Sequence, residues 1–213
     1  MKTISDEDVM FKHPFCMTVA GPSKCGKTHF VANVLQNMKE LIHPIPLKII
    51  YSYSEWQTMF DFLKIKISNL EFIKGIPEME SIDNCLVILD DLVTECIDNK
   101  DVVHLFTVAS HHRNASVILF TQNIFEQGKY ARSISLNSNY MVVFNNLRDR
   151  RQIKHLGSQL YPGEPKFIDE VLNDAFKTQP RGYLIIDLLP DSLDEIRLRT
   201  FDFTNGKTFV YVR

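Results

Sequence analysis

The sequence has no long apolar run, no large excess of either charge and few cysteines. Its 213 residues carry 24 basic and 26 acidic side chains, a net charge of −2, which excludes a uniformly polycationic surface but not a local basic patch. No uninterrupted apolar stretch approaches the ~20 residues that span a bilayer. The opening residues, MKTISDEDVM, contain three acids and no apolar core. We therefore expect no signal peptide, no membrane contact and a cytosolic or nuclear protein.

The four cysteines do not have the spacing of a metal site or a disulfide framework. They stand at Cys16, Cys25, Cys85 and Cys96, with no C-x-x-C pair and no accompanying histidine set. Zinc sites and small disulfide-linked folds depend on such spacing. We expect reduced thiols, three of them beside apolar runs.

Composition and pattern predict one α/β domain. Hydrophobic residues make up 45% and charged residues 23%, as in average globular proteins. Short apolar segments alternate with helical patterns, which indicates a mainly parallel sheet flanked by helices. We divide the domain into an N-terminal extension (1–13), a core (14–200) and a C-terminal hairpin (201–213), whose Asn205-Gly206 pair predicts a type I′ turn. Predicted strands are 15–20, 47–53, 86–89, 117–121, 140–144, 184–186 and 198–203, and predicted helices are 28–38, 56–63, 102–110, 150–160 and 167–176.

A phosphate-binding loop follows the first predicted strand. Residues 21–28 read GPSKCGKT and match G-x-x-x-x-G-K-[ST] without a mismatch. The glycines allow a tight loop whose N–H groups point at phosphate, the lysine reaches the β- and γ-phosphates, and the threonine hydroxyl suits Mg²⁺. An ordinary glycine turn is the alternative, but strand, loop and helix stand in register. The predicted ATP-binding residues are Gly21, Pro22, Ser23, Lys24, Cys25, Gly26, Lys27, Thr28 and His29.

A second acidic motif ends a later strand. Residues 85–92 read CLVILDDL, and an acid at the carboxyl end of a buried parallel strand lies at the ligand edge of such a sheet. Asp90 is the predicted Mg²⁺ partner together with Thr28. Asp91 is the predicted general base or water-orienting group, with capping of the next segment as the alternative. Many nucleotide hydrolases carry glutamate at this position, and aspartate is one methylene shorter.

A polar amide follows the strand 117–121. Gln122 can sense the γ-phosphate or orient water, while a turn residue is the alternative. Its spacing after the acidic strand matches RecA-like P-loop ATPases of the ASCE class, which insert a sensor strand between the two motif strands. The catalytic prediction therefore joins Lys27, Asp91 and Gln122.

These motifs, taken in order, resemble a known superfamily. GPSKCGKT, CLVILDDL and SHHRNASVILFTQN look like the FtsK–HerA superfamily of DNA-pumping ATPases. The longer run SHHRNASVILFTQNIFEQGKYARSISLNSNYMVVF, with NNLRDRRQIKHL and RGYLIIDLLPD, resembles the genome-packaging ATPases of polinton/Maverick elements and adintovirus-like viruses. The resemblance runs from about residue 15 to residue 200, and the Walker motifs alone are shared by many other families.

The resemblance implies a ring-forming motor, hexameric or pentameric, that threads double-stranded DNA into a preformed capsid using ATP and Mg²⁺. It implies a capsid vertex or portal protein as a partner, and a location in the nucleus or cytoplasm at sites of virion assembly or in the virion. It also implies an arginine finger supplied by the neighbouring subunit.

Arg148 and Arg151 match the segment that carries the arginine finger. A solvated helical face is the alternative for their cluster, which also includes Arg150 and Lys154. Arg113 is a further candidate, and a cationic helix end with His111 and His112 is its alternative.

The sequence permits two interpretations each of the segment 127–132 and of Trp56, and it permits two other functions. The segment 127–132, with Lys129, Tyr130 and Arg132, is either a DNA-contacting loop that touches phosphates or an ordinary surface loop. Trp56 is a core residue or approaches adenine. A P-loop nucleotide kinase and a nucleotide-dependent capsid-assembly scaffold are the alternative functions. The acid pair and Gln122 favour hydrolysis over transfer.

Overall fold

The structure is a computed structural model that describes residues 5–148, 150–177 and 181–213, without the side chains of Ala109 and His111. The strands in chain order are β1 (Phe11–Lys12), β2 (Cys16–Ala20), β3 (Ile42–His43), β4 (Lys48–Tyr53), β5 (Leu70–Lys74), β6 (Cys85–Asp90), β7 (Ser116–Thr121), β8 (Tyr140–Phe144), β9 (Tyr183–Asp187), β10 (Leu198–Asp202) and β11 (Lys207–Val210).

β1 and β3 pair with each other as a separate two-stranded sheet, and the other strands form the main sheet. Helices cover both faces of the main sheet. They are α1 (Lys27–Gln36), α2 (Met38–Leu41), α3 (Thr58–Lys66), α4 (Val93–Ile97), α5 (Lys100–His104), α6 (Ser110–His112), α7 (Ala131–Leu136), α8 (Arg150–Leu160) and α9 (Pro165–Ala175). A π-helical segment, Leu105–Ala109, joins α5 to α6, and short 3₁₀ turns lie at Asp6–Val9, Met79–Ser81 and Asp194–Ile196. No helix in the described ranges is long and apolar enough to cross a membrane.

The main sheet has the order β11-β10-β9-β8-β2-β7-β6-β4-β5 in the described part of the chain. The strands from β8 to β5 run parallel, whereas β9, β10 and β11 pair antiparallel. The α/β fold class with a mainly parallel sheet is therefore confirmed, as is the antiparallel hairpin at one edge. β7 lies between β2 and β6, the arrangement that the sensor-strand spacing predicted.

Both faces of the parallel strands are buried because their side chains are apolar in both alternating sets. On β6, Leu86 and Ile88 join the cluster that packs under α1, while Val87 and Leu89 join a second cluster with α5. The end of the sheet near β8 and β9 packs against α8 and α9 in a third cluster. This double coverage explains why the sequence shows continuous apolar runs rather than alternation.

Most predicted elements are present, with shifted ends. The strands 15–20, 47–53, 117–121 and 140–144 and the helix 150–160 correspond to β2, β4, β7, β8 and α8. The predicted helix 102–110 is divided among α5, the π-helical segment and α6. The edge strand β5 (sequence LEFIK) was missed because it is only partly buried and carries two charges.

The type I′ turn is wrong in detail, although the hairpin exists. Asp202 pairs with Lys207, so the connection has four residues, 203–206. Only Gly206 of the Asn-Gly pair has a positive φ, +62°, whereas a type I′ turn requires two. The Asp202 carboxylate accepts hydrogen bonds from the backbone N–H groups of Thr204 and Asn205 at 2.9 and 3.4 Å. This side-chain bonding favours the longer turn.

A buried ion pair ties the antiparallel end of the sheet together. The Arg199 guanidinium donates to the Asp187 carboxylate at 2.9 Å and to the Ile196 carbonyl at 2.8 Å, and the side chains of the pair are 1% and 2% exposed. Asp187 also accepts from the Leu189 N–H and the Ser192 hydroxyl. The hydrogen bonds from Leu189 and Ser192 offset part of the cost of burying the Asp187 carboxylate. Removing either member of the ion pair would leave the other charge buried without a partner.

We predict that Arg199→Met lowers the free energy of unfolding by about 3–5 kcal/mol, because it leaves the Asp187 charge buried without a cation. Denaturant unfolding measures the loss. Adding Asp187→Asn to this variant should recover part of it, and a double variant no more stable than the single one would contradict the ion-pair explanation. The control is Lys48→Met at the exposed Lys48–Glu71 pair, 2.7 Å apart, which should cost no more than about 1 kcal/mol.

Candidate functional site

The phosphate-binding loop lies where β2 passes into α1. The loop runs from Gly21 to Gly26, which stands before α1 with a φ of +119°. The Gly21 N–H donates to the Thr121 carbonyl at 3.2 Å, which fixes the loop to the end of β7. A Cβ at Gly21 would lie 2.7 Å from the Cys25 sulfur and 2.8 Å from the Phe144 Cβ. Both glycines are therefore required by the loop itself.

The Lys27 ammonium lies over its own loop. It donates to the Gly21 carbonyl at 2.6 Å and to the Pro22 carbonyl at 3.3 Å. These carbonyls hold the side chain folded across the mouth of the loop. A phosphate bound by the loop would offer the ammonium charged acceptors, which form stronger hydrogen bonds than carbonyls do.

Asp90 is a buried carboxylate at the end of β6. One of its oxygens accepts a hydrogen bond from the Tyr51 hydroxyl at 2.8 Å, and the Thr28 hydroxyl reaches the same oxygen at 3.5 Å. Burial raises the pKa of Asp90 to about 6, against the opposing effects of the Tyr51 hydrogen bond and the Lys27 charge. A buried carboxylate beside a threonine hydroxyl is a set of hard oxygen ligands, and this set fits Mg²⁺.

Asp91 faces the same cavity but is exposed. Its φ is +57°, a left-handed conformation that is uncommon for aspartate. α4 begins after Leu92, and this helix start receives no side-chain capping bond. Capping of the next segment, the alternative for Asp91, therefore finds no support in the described geometry.

One cavity of about 520 Å³ joins the two motifs. The predicted residues that line it are Ser23, Lys24, Gly26, Lys27, Thr28, His29, Asp90 and Asp91. Three further residues, Gln57, Met59 and Arg181, complete its wall. The cavity therefore brings together a phosphate-binding loop, a candidate magnesium pair and an exposed carboxylate.

Gln122 lies on the other side of the loop. It lines a second cavity of about 670 Å³ with Pro22, Cys25 and Arg148, and it does not line the cavity of Asp90 and Asp91. Only the loop tip, at Ser23 and Lys24, lines both. The structure therefore places Gln122 beside the phosphate loop but does not join it to Asp91 in one cavity, and its role in positioning water stays a prediction.

Glu126 sets the backbone at Gln122. Its carboxylate accepts from the N–H groups of Gln122 and Asn123 at 2.9 and 2.8 Å. These bonds hold the chain in a tight turn just after β7, and they leave the Gln122 side chain exposed. The turn thus presents the amide at the edge where the parallel strands end.

The candidate arginines differ in what they contact. Arg148 is exposed and lines the cavity beside its own phosphate loop, and Arg151 is exposed on α8. Arg113 donates to the carbonyls of Met79 and Ile82 at 2.5 and 3.3 Å, so its guanidinium has a structural role.

Lys154 and His111 are two other basic residues that the sequence analysis named. Lys154 forms an ion pair with Asp169 on α9 at 2.8 Å, so it takes part in helix packing. The side chain of His111 lies outside the described residues.

The basic segment 127–132 is held against α4 at one end. A Cβ at Gly128 would lie 2.7 Å from the Ile97 side chain. The Lys129 N–H donates to the Asp98 carboxylate at 2.9 Å, and the Lys129 ammonium lies 5.1 Å from the centre of the Tyr130 ring. Lys129 and Arg132 are exposed, so both cations are accessible to an anionic partner.

Trp56 belongs to an aromatic cluster rather than to the cavity. Its ring lies 5.2–5.5 Å from those of Tyr53, Phe60 and Phe72, and it does not line the cavity of about 520 Å³. The next residue, Gln57, reaches the cavity instead. Trp56 therefore packs against this aromatic cluster but is 44% exposed, so it is not a core residue.

The sequence argument missed Tyr51 and Arg181. Tyr51 stands in an apolar strand, and nothing in its local pattern relates it to a residue on β6. Arg181 precedes β9 by two positions, and β9 begins where β8 ends because the two strands are antiparallel. That strand direction, which a single sequence does not reveal, brings Arg181 to the ligand edge.

We predict that Asp90→Asn stabilises the protein free of metal and nucleotide by about 1–3 kcal/mol at neutral pH. The pKa of Asp90 is raised in the folded state, so burial of its charge costs stability that is small below pH 4 and complete above about pH 6. Thermal unfolding in chelator at pH 7.5 and pH 4.5 measures the difference. A gain at pH 7.5 no larger than at pH 4.5 would contradict this explanation.

Comparison with known proteins by sequence assigns no activity. No protein-family model matches the chain. The tRNA uridine(34) hydroxylase of Prochlorococcus marinus (strain MIT 9515) is 25% identical over 136 residues, which are 63% of this chain and 40% of that protein. The chain thus spans less than half of this relative, too little to transfer its function.

Solved structures identify the fold. B204, the DNA-packaging ATPase of Sulfolobus turreted icosahedral virus, is 14% identical with a TM-score of 0.52, over 94% of this chain and 98% of that one. The B204 packaging NTPase of Sulfolobus turreted icosahedral virus 2, in complex with ATPγS, is 10% identical with a TM-score of 0.52, over 93% and 97%. The KaiC-like protein PH0186 of Pyrococcus horikoshii OT3 is 10% identical with a TM-score of 0.51, over 95% and 91%. The chain therefore has the fold of RecA-like P-loop ATPases, which packaging and KaiC-like proteins share.

Proposed function

We propose that this protein is an ATP-hydrolysing motor that translocates double-stranded DNA into a viral or virus-like capsid. The observation that carries the proposal is the single cavity in which the phosphate-binding loop, Asp90 and Asp91 meet. A carboxylate exposed beside the loop, in addition to a buried one, suits the activation of water. The loop and its lysine match the pattern that binds the phosphates of a nucleoside triphosphate, and ATP is the nucleotide that the resemblance to packaging ATPases implies.

Each group in the cavity has its own proposed role in hydrolysis. Backbone N–H groups at the start of α1 and the Lys27 ammonium bind the phosphates. The Thr28 hydroxyl and the Asp90 carboxylate would hold Mg²⁺, which supplies positive charge at the phosphate oxygens when bound. Asp91 accepts the proton of the attacking water or orients it, and Gln122 approaches the γ-phosphate from the other side of the loop tip.

The DNA-packaging part of the proposal rests on two lines of support. One is the resemblance of the motif series to FtsK–HerA packaging ATPases of polinton/Maverick and adintovirus-like viruses. The other is that the fold of B204 covers nearly the whole of this chain. The exposed cations Lys129 and Arg132 are suited to phosphate contacts. Because the net charge is only −2, such contacts would be confined to a few loops facing the channel of a ring. The proposed ring has six or five subunits. It would dock on a capsid vertex or portal protein at the site of virion assembly.

We predict that the purified protein releases phosphate from ATP and that duplex DNA stimulates the release. Lys27→Ala should lower the rate by at least about a hundredfold, because it removes the cation that faces the charge developing on the phosphates. Lys39→Ala is the matched control, since Lys39 is exposed beyond the far end of α1. A phosphate-release assay with and without duplex DNA gives both numbers.

Analysis of the nucleotide products and a capsid-assembly assay on the same variants separate the alternative functions. Transfer of phosphate to an added nucleoside monophosphate would identify a nucleotide kinase and overturn the motor. Binding of ATP without turnover, with Asp91→Asn leaving capsid assembly intact and Lys27→Ala abolishing it, would identify an assembly scaffold. Turnover that DNA does not stimulate would remove the translocation part of the proposal and keep the hydrolase.

We predict that Arg148 or Arg151 acts on the nucleotide of a neighbouring subunit. An Arg151→Ala or Arg148→Ala subunit keeps its own phosphate loop, and a Lys27→Ala subunit keeps its arginines. Mixing the two inactive variants should therefore restore part of the ATPase rate. The control mixes Lys27→Ala with the double variant Lys27→Ala/Arg151→Ala, which should stay inactive. Assembled mixtures without any recovery would rule out the trans assignment.

A further inference from the structure

Arg181 lies against the phosphate loop of its own chain. It is one of the residues lining the cavity of about 520 Å³, which Gly26 and His29 also line. Its aliphatic stem packs so closely on Gly26 that a Cβ there would lie 2.8 Å from the Arg181 Cδ. The positive charge of Arg181 also contributes to lowering the pKa of His29, after the effect of burial. The side chain is therefore next to the start of α1.

The backbone at Arg181 has a strained conformation that places its side chain beside the phosphate loop. Arg181 has a φ of +65°, in the left-handed region that favours glycine. Gly182 is held tightly, since a Cβ there would lie 2.4 Å from the Ala175 carbonyl at the end of α9. The turn is thus set by packing on α9 and by the start of β9 opposite Phe144. A long cation in this strained conformation is typical of a residue retained for binding.

The guanidinium has no hydrogen-bond or ion-pair partner among the described residues, although it lies beside a cavity that holds other cations. Lys24 and Lys27 line the same space. Cations gathered around one cavity repel one another unless an anion binds between them. The carboxylates Asp90 and Asp91 line the same cavity, and neither is hydrogen-bonded to Arg181.

We infer that Arg181 binds the α- and β-phosphates of the nucleotide held by its own subunit. The inference rests on the proposed function and extends it. Gly26, Lys27 and the first turn of α1 form the end of the loop that cradles the α- and β-phosphates, and Arg181 reaches this end rather than the loop tip at Ser23. A planar guanidinium can donate two parallel hydrogen bonds to phosphate oxygens. Arg181 therefore contributes to the binding of ADP and ATP alike, unlike a trans arginine that acts in the transition state.

The test measures nucleotide binding without turnover. We expect Arg181→Ala and Arg181→Gly to raise the Kd for both ADP and AMPPNP by about ten- to a hundredfold, as for the loss of a charge-assisted hydrogen bond. Arg181→Lys should lose less, because it keeps the charge but not the paired donors. Isothermal titration calorimetry with ADP and with AMPPNP, in Mg²⁺, gives the constants. Lys177→Ala is the matched control, since Lys177 is an exposed cation on the same connection and does not line the cavity.

Arg181→Gly separates binding from folding. Glycine adopts a φ of +65° without strain, so this variant should unfold at the same temperature as the wild type or higher in the absence of nucleotide. An unchanged Kd in Arg181→Gly, with binding lost in Lys27→Ala, would overturn the inference and leave the proposed function standing. A wild type that binds neither nucleotide would overturn both. Recovery of tight binding on mixing Arg181→Gly with Lys27→Ala would place Arg181 in trans and overturn the cis assignment.

Discussion

The site depends on one constraint, that parallel strands buried on both faces end at the same edge of the sheet. β2, β7 and β6 are neighbours in the sheet and run in one direction, so their following residues converge. The phosphate loop, Gln122 and Asp90 are brought to one edge by strand direction alone. The apolar clusters on both faces keep this edge in place, and the loops carry the chemistry.

The charged groups at this edge of the sheet do not have fully compensating partners within the protein itself. Asp90 is buried beneath the Tyr51 hydroxyl, and desolvation outweighs that hydrogen bond. The Lys27 ammonium meanwhile donates hydrogen bonds to the carbonyls of Gly21 and Pro22. A phosphate chain with its divalent cation would give both groups stronger partners. The site therefore resembles one whose groups are arranged for a charged ligand, at a cost to the stability of the unliganded fold.

The sequence was sufficient wherever a motif and its strand or helix are continuous in the chain. The loop 21–28 has its predicted strand before it and helix after it, and β7 lies between β2 and β6 as the Gln122 spacing indicated. It was insufficient where contacts come from pairing distant segments. Tyr51 meets Asp90 only because β4 pairs with β6, and the order of the motifs along the chain does not reveal that Gln122 and Asp91 line two different cavities. The hairpin turn was missed in detail because the Asp202 carboxylate competes with the local preference of Asn-Gly.

The arginines of this fold can be sorted by the direction in which each chain segment leaves the sheet. Arg148 and Arg151 follow a parallel strand outward from the ligand edge and are exposed, which is compatible with the proposed contact to a neighbouring subunit. Arg181 precedes an antiparallel strand and therefore enters at the same edge from the other direction, packed on Gly26. An antiparallel strand beside the parallel set thus supplies a cation in cis without lengthening the phosphate loop. In the proposed arrangement, Arg181 would complete ground-state binding of the nucleotide within one chain, and an arginine of a neighbouring subunit would stabilise the charge of the transition state.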